Sequence, residues 1–146
     1  MIFCVGERMV RNFIVMPLLL KILTVSIIAL PIFFILTLFS GHSINVFGRY
    51  VSAHEWWSSG AGFVAVANTS IMLAASLLIL KRSAFGRVVY VLGFLMMTLS
   101  IPLVSKLLKI NGANVSAPFI SNLILTVIIG VYLYTSKDIR NYFKEG

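Results

Sequence analysis

Only four acidic residues occur among 146, and none of them lies inside a long apolar run. Glu7, Glu55, Asp138 and Glu145 sit near the chain ends or between apolar stretches. Ion pathways and proton relays are generally built on intramembrane Asp, Glu, His or Arg. Their scarcity argues against a pump or a proton-coupled carrier. Cysteine is nearly absent as well. Cys4 stands alone, which excludes an intramolecular disulfide and a cysteine-based metal cluster. Three residues precede it and no apolar signal region fits there, so a lipidated cysteine is not expected. H-E-x-x-H, G-x-S-x-G, a glycine-rich phosphate loop and paired intramembrane carboxylates are all missing. The expectation is a chain that is not an enzyme, with no catalytic residue, no cofactor and no metal ligand.

Charge of either sign is sparse: 11% of residues are charged and 60% hydrophobic. A soluble domain carries about 25% and about 45–50%. A domain this small leaves a large share of its area exposed, so it could not hide so much apolar surface from water. Lipid is the natural solvent. The length suits one bundle over residues 1–146, with no separate soluble domain. The net charge is +8, yet the cations fall in small clusters between apolar runs. Nucleic-acid binding needs a continuous basic face, and none is expected. The cytoplasmic flanks of membrane spans collect Lys and Arg in this clustered way.

A helix needs about 20 apolar residues to cross a hydrocarbon core roughly 30 Å thick. Four stretches qualify: about 18–39, 53–80, 88–108 and 118–135. The first ends at Ser40-Gly41 and carries Lys21 in its opening turn, where the long stem can snorkel to the headgroups. Its apolar region exceeds that of a signal peptide and no small-x-small cleavage site follows, so it reads as a retained span. Met1 to Arg8 adds little to this pattern and leaves Met9 as an alternative start.

The second span has the clearest beginning. Ser52-Ala53-His54-Glu55 matches a capping box, in which Ser52 accepts from the Glu55 N–H and Glu55 reaches back to Ser52. Val51 and Trp56 occupy the staple positions, and Lys81-Arg82 closes the span. Ser116 is the expected N-cap of the last span, with Pro118 in its first turn. Thr135-Ser136-Lys137-Asp138 is a further capping box. It opens a short tail helix with Ile139, Tyr142 and Phe143 on one face and Lys137, Arg140 and Lys144 toward anionic headgroups. That tail reads as a membrane-surface anchor.

Orientation follows from the cations. Arg8, Arg11, Lys21, Lys81, Arg82, Arg87, Lys137, Arg140 and Lys144 fall on one side, and Arg49, Lys106 and Lys109 on the other. Nine against three places the first group, and with it both termini, in the cytoplasm. Tyr50, Trp56 and Trp57 then mark the outer interface, and Tyr90, Tyr132 and Tyr134 the inner one. Residues 40–52 form a long outer loop. The expected fold is all-α: a polytopic integral membrane protein built as an antiparallel four-helix transmembrane bundle.

In lipid, small and hydrogen-bonding residues mark the faces where helices meet. Gly62, Ser70 and Ala74 share one i, i+4 row of the second span, and Ala61, Ala65 and Thr69 the neighbouring one. Asn122, Thr126 and Gly130 form a stripe on the fourth span that is expected to face protein. Asn68 and Asn122 are the most polar groups within the spans. Without charged companions they read first as interhelical hydrogen bonds, worth about 0.6 kcal/mol on average. Pro31 and Pro102 are expected to bend their helices, and Lys106 to snorkel at the outer interface. His54 and Glu55 invite a metal or general-base reading, but adjacent residues on a helix point apart and Glu55 has a capping role.

The closing run Tyr132-Leu133-Tyr134 … Ile139-Arg140-Asn141-Tyr142-Phe143 and the outer run Phe47-Gly48-Arg49-Tyr50-Val51-Ser52 with Glu55-Trp56 resemble those of small bacterial four-span proteins of unknown function. The likeness covers about a third of the chain. It implies a bacterial inner-membrane setting and supplies no activity or site residues. Two functional expectations remain. One is a non-enzymatic accessory protein (an assembly factor, subunit or immunity-type protein) working with a membrane-protein partner through its helix faces and outer loop. The other is a small transporter or channel, a homo-oligomer with a polar path between spans two and four. A reporter fused to the C-terminus is expected to be active in the cytoplasm; activity on the far side of the membrane would overturn the orientation.

Overall fold

The computed structural model describes residues 2–39, 41, 43–110 and 115–144, with the side chains of all of these but 2–6, 8, 30–31, 33–35 and 37–39. The described chain is helical apart from one short β-hairpin. Its order is α1 Ile2–Ile14, α2 Leu18–Phe39, β1 Ile44–Val46, β2 Arg49–Val51, α3 Ala53–Ser58, α4 Ala61–Leu80, α5 Ala84–Leu107, α6 Ser116–Thr135 and α7 Lys137–Lys144. Three of these helices, α4, α5 and α6, are long and apolar enough to cross a membrane. They pack together, with α5 between α4 and α6 and α2 against α4. Leu92, Met96, Leu99 and Leu103 of α5, with Ile124, Val127, Ile128 and Val131 of α6, remain exposed. That outer coat suits hydrocarbon rather than water.

The α4–α5 contact is set by small residues. A Cβ built on Gly86 would lie 2.9 Å from the backbone nitrogen of Ile79 and from the carbonyl carbon of Leu78. One on Gly93 would collide with the sulfur of Met72. Ala75 and Ser76 of α4 are fully buried on the facing side. The pairing of 86 with 79 and 93 with 72 makes the two helices antiparallel. Their link is short, Lys81 to Ser83. Arg82 adopts φ 55, with its N–H donating to Ile79 O and the Ser83 N–H to Leu78 O. This is the Schellman ending of a helix. Lys109 (φ 53) repeats it after α5, with N–H bonds to Lys106 O and from Ile110 to Ser105 O.

Two apolar cores result. One, at the hairpin end, gathers Val51, Trp56, Ala61, Val104 and Leu108. The other, at the end where α1 and α7 meet the bundle, contains Leu20, Ile79, Tyr90, Leu133, Ile139 and Tyr142.

Several boundaries differ from the sequence reading. The expected helix 53–80 is broken. Gly60 takes φ 86, a left-handed conformation that glycine adopts without penalty, so α3 ends before it and α4 starts after it. The third span begins at Ala84 rather than near 88. Ser116 lies inside α6, with Val115 in the cap position and no side-chain cap bond. The loop 40–52 contains a hairpin. Phe47 and Gly48 both have positive φ, as a two-residue type I′ turn requires, and Asn45 Oδ1 accepts from the Gly48 N–H at 3.0 Å. α5 continues past Pro102 as one helix, and Pro31 lies within α2 although its side chain is outside the described ones.

The two end helices correct larger expectations. α1 was not foreseen. It docks through Asn12, buried, whose Nδ2 donates to Leu80 O at 2.8 Å, and Phe13 and Met16 join the core beside it. In α7 the expected cap by Thr135 does not form: Thr135 is the last residue of α6, where its hydroxyl donates to Val131 O. Ile139 and Tyr142 are buried against protein, so the apolar face of α7 is not a lipid anchor. Tyr142 Oη donates to Ile79 O at 3.2 Å, while Lys137, Arg140 and Lys144 stay exposed.

Gly86→Ala is expected to destabilise the protein by about 1–3 kcal/mol, because it overpacks backbone against backbone. Gly130→Ala, whose nearest neighbours are the Val91 methyls at 4.0 Å, is expected to leave stability unchanged. Thermal unfolding of both variants in the same detergent checks the contrast.

Candidate functional site

The hairpin end encloses a chamber of about 810 Å³, partly open at its surface. Its position follows from the local folding just described. The I′ turn brings Ile44, Val46 and Phe47 over the ends of the long helices, and Trp56 of α3 closes one side. α4 contributes Ala65, Asn68, Thr69 and Met72 to the walls, and α5 contributes Phe94, Met97, Ser100, Ile101 and Val104. Pro118, Ser121, Asn122 and Leu125 come from α6, and Ile27 from α2. No ionisable side chain lines the chamber among the described residues.

Arg49 fastens the cover. Its Nη2 pairs with Glu55 Oε1 at 2.7 Å, and its Nη1 donates to Leu108 O at the end of α5. Ser52 Oγ accepts from the Glu55 N–H at 3.2 Å as expected. The reciprocal half of the capping box is replaced, since the Glu55 carboxylate turns to the guanidinium for a stronger, charge-assisted bond. Both partners are more than a third exposed, so the pair alone contributes little stability. What it does is geometric: one cation joins β2, α3 and the carbonyl end of α5, where positive charge is favoured.

Two polar bridges cross between the helices. Asn68 Nδ2 donates to Ser100 Oγ at 2.8 Å, and Asn122 Nδ2 donates to Thr98 Oγ1 at 3.1 Å. The hydroxyl protons are already committed. Ser100 donates to Met97 O at 2.7 Å and Thr98 to Phe94 O at 2.9 Å, so each hydroxyl can only accept from its amide. Both carboxamides are thereby oriented with nitrogen toward α5. Thr126 donates to Asn122 O at 2.7 Å and lies 3.2 Å from the Thr98 hydroxyl.

The six residues singled out from sequence separate into two groups. Asn68, Asn122 and Thr126 converge on α5, and the two asparagines line the same chamber. Gly62, Ser70 and Gly130 do not reach it. Gly62 is covered by Trp57, whose ring carbon Cε3 lies 2.5 Å from a Cβ built there. Ser70 is exposed and returns its hydroxyl to Val66 O. Gly130 is half-buried beside Val91. Thr98 and Ser100 were missed. They interrupt the apolar middle of the third span, and that placement was the available signal.

The metal reading of the hairpin finds no support in position. His54 is exposed, Glu55 is engaged by Arg49, and His42 lies outside the described residues. Among the described residues no three of His, Cys, Asp and Glu gather. Lys106 is exposed, near Leu108.

Toward the opposite end the chamber stops. Ile79, Tyr90 and Leu133 have no exposed surface, and the Ser76 and Tyr90 hydroxyls within this plug are buried without a hydrogen-bond partner among the described residues. Beyond it, Arg82 stacks 4.8 Å over the Tyr142 ring, and Arg87 lies 4.9 Å from Phe143 and 5.4 Å from Tyr134. Such contacts contribute about 0.5–2 kcal/mol each. Burial raises the Tyr142 pKa above its ordinary value, and the Arg82 charge works against that rise. Comparison with protein-family models, curated proteins and solved structures gives no match.

Asn122→Leu is expected to destabilise the protein by about 0.6 kcal/mol, and by no more than about 1.7 kcal/mol. In the Thr98→Val background the same change is expected to cost less, because the bond it removes is already gone. A double-mutant cycle in denaturant measures this coupling.

Proposed function

We propose that this protein is a four-span inner-membrane accessory protein, non-enzymatic, that works by packing its helix faces and its hairpin end against another membrane protein. Its 22-residue α2 supplies the fourth crossing beside α4, α5 and α6, and both termini lie in the cytoplasm. The observation that carries the reading is the plug of Ile79, Tyr90 and Leu133 between the chamber and the terminal end. A transport path through a single bundle would have to pass it, and the polar side chains above it are held by the protein's own helices.

Two further features support an interaction role. Among the described residues the chamber walls offer no titratable group for acid or base work. On α4, Ala67, Ser70 and Ala74 are exposed along one side, a surface of small residues that allows close approach of a partner helix. A second reading, a small homo-oligomeric transporter or channel, has one observation in its favour. Asn68 of span two and Asn122 of span four line one shared cavity.

Chemical crosslinking and affinity purification from native membranes are expected to recover a stoichiometric, different membrane protein. Recovery of a homo-oligomer that conducts ions or solutes in liposomes would replace this reading with the second.

A further inference from the structure

The chamber is apolar, but its two asparagines leave something over. With both Nδ2 atoms committed to Ser100 and Thr98, the Asn68 and Asn122 Oδ1 atoms have no donor among the described residues. The Thr69 hydroxyl on the same wall is also without a partner. A carbonyl oxygen that faces an apolar cavity gains from any donor that reaches it there. The acceptors sit among Met72, Phe94, Met97 and Leu125. Among the described residues no cation lines the cavity to balance an anion, and Arg49 is occupied by Glu55 and Leu108 O. A volume of about 810 Å³ falls within the range of small-molecule sites, roughly 300–1,000 Å³. Asn68 and Asn122 lie within the membrane-length helices α4 and α6, whose surroundings in a bilayer are lipid.

We propose that the chamber binds a neutral single-chain lipid whose head carries a hydrogen-bond donor. The donor meets the asparagine carbonyls, and the chain lies along the Met and Phe side chains. Selection works through two absences in the walls: a charged head finds no counter-ion, and a head without a donor leaves the carbonyls unpaired. The inference requires only that the bundle sits in a bilayer. It does not depend on the accessory role, so either can fail without the other.

Trp56 lines the chamber and serves as the reporter once Trp57→Phe removes its neighbour. The probe is a monoacylglycerol brominated at mid-chain, titrated into the purified full-length protein in nanodiscs of zwitterionic lipid. Saturable quenching of Trp56 is expected, reversed by the unbrominated monoacylglycerol. The methyl ester of the same acid, which lacks a donor, and the fatty-acid anion at neutral pH are expected to compete at least about tenfold more weakly. Asn68→Leu should weaken the monoacylglycerol toward the level of the methyl ester, and Ala65→Phe should remove the saturable component by filling the cavity. Quenching that rises linearly with brominated lipid would overturn the site. Equal competition by monoacylglycerol and methyl ester would overturn the donor selection, and that comparison needs no variant in the chamber.

Discussion

Gly86 allows the backbone of α5 to lie against Ile79 and Leu78 with no side chain between them. In hydrocarbon there is little hydrophobic drive to bring helices together, so dispersion and hydrogen bonding at close range must do it. Close range is available only where side chains are small. Gly86, Gly93, Ala75 and Ser76 provide it on the facing sides of α4 and α5, and the rest of the structure is hung on that pair. α6 lies on the other flank of α5, α2 on α4, and both end helices seal the same end. A larger side chain at Gly86 would move α5, and with it Thr98 and Ser100, the partners that orient both asparagines.

The two ends of the bundle are finished differently. At the terminal end, cation–aromatic contacts bring Arg82 and Arg87 over the rings of α6 and α7, and Ile79, Tyr90, Leu133 and Ile139 are fully buried. The hairpin end is held by one arginine that spans three elements, with an unfilled space below it. The hairpin rests on the apolar core of Val51, Trp56 and Leu108 and is held to α5 by Arg49.

Much of this was legible in the residues. The apolar runs gave the long helices to within a few positions, because span length is a strict physical requirement. Ser52 and Val51-Trp56 marked the start of α3, since caps and staples are local chemistry. Asn68, Asn122 and Thr126 were found because polar groups in apolar runs stand out. What stayed hidden depended on tertiary partners. The break at Gly60 looks like one more glycine in a small-residue segment until its φ is known. α1 was overlooked because its value lies in Asn12 meeting Leu80, 68 residues away. The hairpin has the Phe47-Gly48 turn written in it, but strands of three residues are too short for an alternating pattern to show. The chamber itself has no sequence signature, being a space that the packing of distant elements leaves unfilled.

The three-residue link between α4 and α5 also bears on the order in which the molecule assembles. Loop-closure entropy rises with the length of chain to be closed, and topologies rich in local contacts form fastest. Gly86 meets residues only one turn of link away, so the α4–α5 pair can close while the ribosome is still adding α6. Tyr142 and Ile79 are 63 positions apart, and their contact must wait until α7 has been made. The plug of Ile79, Tyr90 and Leu133 draws on α4, α5 and α6, so its parts are present before α7 is made. α7 then docks onto Ile79 and finishes a vessel whose floor is already laid.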